Sequence, residues 1–134
     1  MWNFLASEEA VRDLCLRVYE NLADGGMFLS FQNCLMDAGF AGGRVGNVVY
    51  TQVAGGGDRG VQYTLRREGD QETLTLVLTD WKREVYDWSL RTAGFKDIQW
   101  HSPIISQEGM DTLGSVFWGE YLRHGLYKGF EARK

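Results

Sequence analysis

Proline, sulfur and histidine are scarce in this chain. Its 134 residues hold one proline (Pro103), two cysteines (Cys15 and Cys34) and two histidines (His101 and His124). Cys15 falls on the apolar face of a predicted helix, where a free buried thiol is a plainer reading than a disulfide or a metal ligand. The two histidines stand far apart in sequence, with no carboxylates or cysteines clustered at ligand spacing. The pattern therefore offers neither a metal site nor a Ser-His-Asp triad. No stretch approaches the roughly 18 apolar residues of a membrane span. The opening MWNFLASEEA has neither the basic flank nor the long apolar segment of a signal peptide, so a cytoplasmic setting is expected, with no membrane partner. Runs of like charge are absent, which removes a charged tail. The formal net charge of -4 disfavours a nucleic-acid partner, which would call for a basic face.

What is present suits one globular domain spanning residues 1–134. The chain is long enough to bury roughly two-thirds of its unfolded surface. Aromatic residues make up 13% of it, including five tryptophans, enough either to line a pocket or to form a bulky core.

Ser7 is placed to cap a helix whose stripe is Val11, Leu14, Cys15, Val18 and Leu22, with Gly25 as a left-handed residue beyond its end. MFLSF, residues 27–31, reads as a strand buried on both faces, as in the centre of a parallel sheet. Residues 34–46 read as a flexible connection. From 47 to 79 the period changes to two: Val61, Tyr63 and Leu65 alternate, as do Leu74, Leu76 and Leu78. An antiparallel meander of two or three strands is expected there. Thr79 or Asp80 then caps a helix with Trp81, Val85, Trp88 and Thr92 on one face. That helix ends at Gly94, with Phe95 as the apolar contact after it. Ile98 and Trp100 share a side of the next strand. Ser106 caps a third helix carrying Met110, Leu113, Val116, Phe117 and Tyr121, and a final strand, LYKGFEAR, ends near Lys134.

Three passages in this order carry a resemblance. LADGGMFLSF resembles the helix-Gly-Gly-strand passage of class I S-adenosylmethionine-dependent methyltransferases, with Ala-Asp in place of the usual lysine-proline. LRTAGFKDIQW resembles the family's next helix-to-strand signature. SPIISQEGMDTLGSVFWGEYL and GFEARK are similar to the last helix and strand of its small-molecule enzymes. The fold implied is α/β: a partial Rossmann-like sheet made of the family's fifth (27–33), sixth (96–104) and seventh (126–132) strands. The meander 47–79 would then be an inserted lid over the substrate. The N-terminal half of such a sheet, with its glycine-rich turn and acidic strand end, has no counterpart here. Gly39, Gly42, Gly43 and Gly46 lack a strand-turn-helix context, and Gly55, Gly56, Gly57 and Gly60 read as turn glycines.

The resemblance therefore implies an acceptor-binding half that needs a complementary half, or self-association, to complete the S-adenosylmethionine site. The chain would be a split subunit, a fragment, or a non-catalytic relative. It places Met1, Trp2 and Asn3 near the donor. Phe4 and the polar pair Gln32 and Asn33, at a strand's carboxyl end, are placed near a small-molecule acceptor. Tyr50 and Tyr63 of the lid, with Phe117, Trp118 and Tyr121 of the third helix, would wall the acceptor. His101 is the candidate general base. A binding module that completes its sheet as a homodimer is the competing reading, and an unrelated α+β domain is a third.

Overall fold

The structure, a computed structural model, describes residues 2–46, 48–53, 59–67 and 75–134 and, of residues 120 and 124, the backbone alone. A short 3-10 turn (Trp2–Phe4) leads to helix α1 (Glu8–Asn21). The Ser7 side chain accepts a hydrogen bond from the Ala10 N–H at 3.2 Å, and Glu8 and Glu9 occupy the first turn, where the helix dipole favours carboxylates. Val11 and Cys15 are fully buried on the expected stripe, flanked by Leu14, Val18 and Leu22. Gly25 turns the chain at φ 73°, a conformation that side chains disfavour, and strand β1 (Met27–Asn33) follows.

The expectation for β1 is corrected. It does not sit inside a parallel sheet. It pairs antiparallel with the last strand, β7 (Tyr127–Arg133), and β7 pairs antiparallel with β6 (Lys96–His101). The order β1-β7-β6 leaves β1 at an edge among the described residues. Phe28 packs into the core, whereas Leu29 and Phe31 on the opposite face are 62% and 59% exposed. The apolar run looks continuous because one face meets this chain's own core while the other is equally apolar and largely open.

A second sheet is a four-stranded antiparallel meander: β2 (Gly42–Val45), β3 (Val48–Val53), β4 (Gly60–Arg67) and β5 (Thr75–Trp81), in chain order. It begins earlier and ends later than the expected insertion at 47–79. Residues 42–45 are a strand rather than a flexible connection. Gly42 makes this possible: at φ 119°, a Cβ there would stand 3.0 Å from the Tyr50 carbonyl oxygen. Trp81 belongs to β5, not to a helix. It pairs with Gly60, and its ring occupies the space that a Cβ on Gly60 would take, 2.6 Å away. Leu74 and the turn glycines at 55–57 lie outside the described residues.

Helix α2 (Arg83–Ala93) is not capped by Thr79 or Asp80, which are buried β5 residues. Its Arg83 N–H donates to Asp37 Oδ2 at 2.9 Å, across 46 residues of sequence. Its buried stripe is Val85, Tyr86, Ser89, Leu90 and Ala93, so Trp88, expected inside, is 46% exposed. The end of α2 is as expected: Gly94 is left-handed, the Phe95 N–H reaches the Leu90 carbonyl at 3.0 Å, and Phe95 is buried.

Helix α3 (Gln107–His124) starts at Ser106, whose Oγ accepts from the Gly109 N–H at 3.1 Å. Gly114 breaks it with φ 76°, ψ 164°. No described residue of α3 is fully buried, Leu113 is half-exposed and Val116 is 85% exposed. The apolar spacing is present, but among the described residues little covers it.

Two cores result. One lies between the inner face of β1-β7-β6 and the packed pair α1 and α2, centred on Phe130, Val11, Leu90 and Tyr86. The other lies under the meander, where Tyr50, Tyr63 and Leu78 meet Leu35, Phe40 and Leu126. Val61 and Leu65 pack beside Tyr63 on the face their alternation predicted.

Candidate ligand cavity between the meander and the third helix

The alternation of β3 turns Tyr50 inward, and register places it opposite Leu65. The first residue of β7, Tyr127, lies opposite Asn33 of β1. These two phenols, 77 residues apart, meet with their hydroxyls 2.6 Å apart. Tyr121 of α3 stacks flat on Tyr127, ring centres 4.9 Å apart and 5° from parallel, and Phe31 stacks on Tyr127 at 5.5 Å and 7°. Trp118 meets Tyr121 edge-on at 5.7 Å and Phe117 at 4.9 Å. Its indole N–H is already donated to the Gly109 carbonyl at 2.8 Å, which fixes the ring.

These side chains line a half-open cavity of about 200 Å³, together with Val45, Gly46, Val48 and Leu113. Gly46 is required there. Its φ is +58°, and a Cβ would come within 2.9 Å of the Phe117 ring. Burial pushes all three tyrosines above the ordinary phenol pKa, so each hydroxyl keeps its proton at neutral pH. Among the described residues, no charged side chain lines the cavity.

A second hollow of about 220 Å³ lies beside Phe40, Gln52 and Tyr63. The Tyr63 hydroxyl is already committed to the Phe40 carbonyl at 2.7 Å.

A buried polar knot joins β5 to the loop after β1. Asp80, fully buried, accepts the Met36 N–H through Oδ2 at 2.8 Å, while its Oδ1 has no partner among the described residues. Burial pushes its pKa up to about 6, opposed by the Met36 and Leu35 N–H groups and assisted by Asp37. Cys15 and Cys34 are free, buried thiols whose pKa burial pushes up to about 12, which makes them unreactive at neutral pH. Among the described residues, no three metal-ligating side chains come together.

No protein-family model and no curated protein matches the sequence. Solved structures do match the fold. On the CcbJ methyltransferase from Streptomyces caelestis, 98% of this chain covers 56% of that one, with a TM-score of 0.61 and 13% identity. On an S-adenosylmethionine-dependent methyltransferase from Clostridium acetobutylicum ATCC 824, 98% of this chain covers 53% of that one, with a TM-score of 0.52 and 10% identity.

The chain is similar in fold to about half of each of these structures. It spans about half the length of either methyltransferase structure. Within this fold, the residues singled out in sequence do not gather at one place. Tyr50, Trp118 and Tyr121 line the cavity together with Phe117, whereas Tyr63 lies in the neighbouring core.

Trp2, expected to face a ligand or a missing interface, is instead a core residue. It packs against Phe28, Tyr86 and Phe130 and donates its indole N–H to Ser30 Oγ at 2.9 Å. Gln32 is also turned inward, its Nε2 donating to the same Ser30 oxygen at 2.7 Å, and Asn33 is buried beside it. Asn3 holds a buried Oδ1 without a partner among the described residues, and Phe4 is exposed. Met1 lies outside the described residues. His101 stands on the outer face of β6, its Nε2 4.0 Å from Glu131, and lines neither cavity. Tyr127, which the sequence pattern does not single out, is the residue that joins the cavity's walls. Only its place in an alternating strand marks it, and nothing local announces its pairing with Tyr50.

Donor binding in an open α/β sheet needs a strand that passes through a glycine-rich turn into a helix. Among the described residues none does. β1 runs into the Cys34–Phe40 loop, β5 enters α2 directly through Lys82, and β6 reaches α3 through a glycine-free segment. The one fully buried acid at a strand end, Asp80, is committed to the Met36 N–H. The residues present do not by themselves fit the donor.

Proposed function

We propose that this chain is the acceptor-binding half of an S-adenosylmethionine-dependent methyltransferase acting on a small molecule. Its 47–79 region would serve as the lid, and the donor site would be completed by the complementary half of the sheet. One observation carries this reading. Nearly all of the chain superposes on only about half of each methyltransferase structure, and the strand left at the edge of its sheet, β1, is apolar on both faces. An edge of that kind is an association hazard unless something covers it. The sheet is then extended beyond β1 by the complementary half, which brings the glycine turn and the acidic strand end. The cavity beside Tyr50 and Tyr127 receives the acceptor. The reaction asks little chemistry of this half: it holds the acceptor in place and excludes water.

Calorimetry with S-adenosylmethionine tests the division of labour. The isolated chain is expected to give no heat of binding, and binding is expected to appear once the complementary half is added. Tight donor binding by this chain alone would overturn the proposal. The second reading, a sheet-completing homodimer, is favoured by the same open edge of β1. It predicts a stable dimer that never acquires donor affinity.

A further inference from the structure

The cavity between β3, β7 and α3 is selective in its chemistry. It is lined by the rings of Tyr121, Trp118 and Phe117 and by Tyr127, itself stacked by Phe31 and Tyr121, and aromatic linings of this kind suit planar, apolar molecules. Its lining, among the described residues, holds no charged side chain. A carboxylate, phosphate or ammonium placed there would lose part of its hydration with no counter-charge among the described residues to replace it.

The polar chemistry it does hold is one pair of phenols. Tyr50 and Tyr127 are in hydrogen-bond contact at 2.6 Å. Two hydroxyls joined by one link carry two protons, so one O–H is left to donate. Trp118 does not compete for a ligand's acceptor atom, because its N–H is already given to Gly109.

We propose, building on the reading of this cavity as the acceptor site, that it takes an uncharged, planar ring system of about two fused rings. Such a molecule would stack against Tyr121 and Trp118 and place one oxygen or nitrogen acceptor on the Tyr50–Tyr127 hydroxyls. Acceptors that carry a charge on the ring are excluded, and the atom that meets the phenols is hydrogen-bonded rather than ion-paired. Leu113, next to the break at Gly114, is the most exposed of the residues that line the cavity.

Ligand-observed NMR titrations of the full chain at neutral pH test this with 2-naphthol as the neutral probe and 2-naphthoate as its charged counterpart. The expected result is saturable binding of 2-naphthol, with 2-naphthoate weaker by ~10-fold or more because its charge goes unpaired. Replacing both hydroxyls together, Tyr50→Phe with Tyr127→Phe, is expected to weaken 2-naphthol by roughly fivefold, the worth of about one hydrogen bond. Leu113→Trp, at an exposed position that leaves the hydroxyls intact, is expected to block binding while the chain stays folded by circular dichroism. Three outcomes overturn the proposal: 2-naphthoate binding as tightly as 2-naphthol, no binding of 2-naphthol by the folded chain, or 2-naphthol binding that neither variant changes. None of these titrations involves a methyl donor or a second chain, so this proposal and the methyltransferase reading fail by different measurements.

Discussion

Asp80 is the residue where burial and charge conflict most openly. A carboxyl whose pKa rises on folding binds its proton more tightly in the native state than in the unfolded chain. Between its ordinary value of 3.8 and about 6, the folded protein holds the extra proton, so stability falls as pH rises through that window. Asp80's contribution is fully present below about pH 4 and lost above about pH 6, each tenfold difference in proton affinity being worth about 1.4 kcal/mol. Asp80→Asn keeps an oxygen to accept the Met36 N–H and cannot ionise. The variant is therefore expected to gain on the wild type as pH rises from 4.5 to 7, read as the difference in urea midpoints at the two pH values. A difference that does not change with pH would show that Asp80 is solvated in solution, contrary to its burial here.

At the scale of elements, what holds each helix end determines how legible it is. α1 is specified locally: Ser7, two first-turn glutamates and a regular stripe all fall within a few residues. The end of α2 is equally local, through Gly94 and Phe95. Its start is not, because the side chain that holds it is Asp37, in a loop on the far side of the meander. Removing that acceptor with Asp37→Ala is expected to cost about 1 kcal/mol of stability. Asp37→Asn should recover most of it, as thermal unfolding of the two variants would show. If alanine and asparagine behave alike, the contact does not cap α2. The same distinction explains the strands. Regular alternation made Val61, Tyr63 and Leu65 readable as one buried face, whereas β2, with its two glycines, and Trp81, placed by its pairing with Gly60, depend on partners remote in sequence. Of the cavity, Tyr50, Trp118 and Tyr121 stood out as aromatics on a strand and a helix. Tyr127 did not, because a contact across 77 residues leaves no trace in local spacing.

For the molecule as a whole, the uneven distribution of burial is the main physical fact. The inner face of the β1-β7-β6 sheet is covered by α1 and α2, and its rings interlock around Phe130. The outer face shows Leu29 and Phe31 to solvent, and α3 shows Leu113, Val116 and Leu122. Scattered exposed apolar residues are ordinary, but a row of them along a strand with one edge open among the described residues is a surface on which another chain can pair. The isolated protein is accordingly expected to associate as its concentration rises, measured by sedimentation velocity. Leu29→Lys places a charge on the open face, away from the cavity and from both cores, so it should shift the protein toward the monomer. Because Leu29 buries little in the single chain, its unfolding free energy should change by no more than about 0.5 kcal/mol. If the wild type stayed monomeric across the whole accessible concentration range, this face would need no partner, and the case for a completing half would lose its structural basis. If Leu29→Lys unfolded the protein instead, the side chain would be buried in solution, and the outer face would already be covered by this chain.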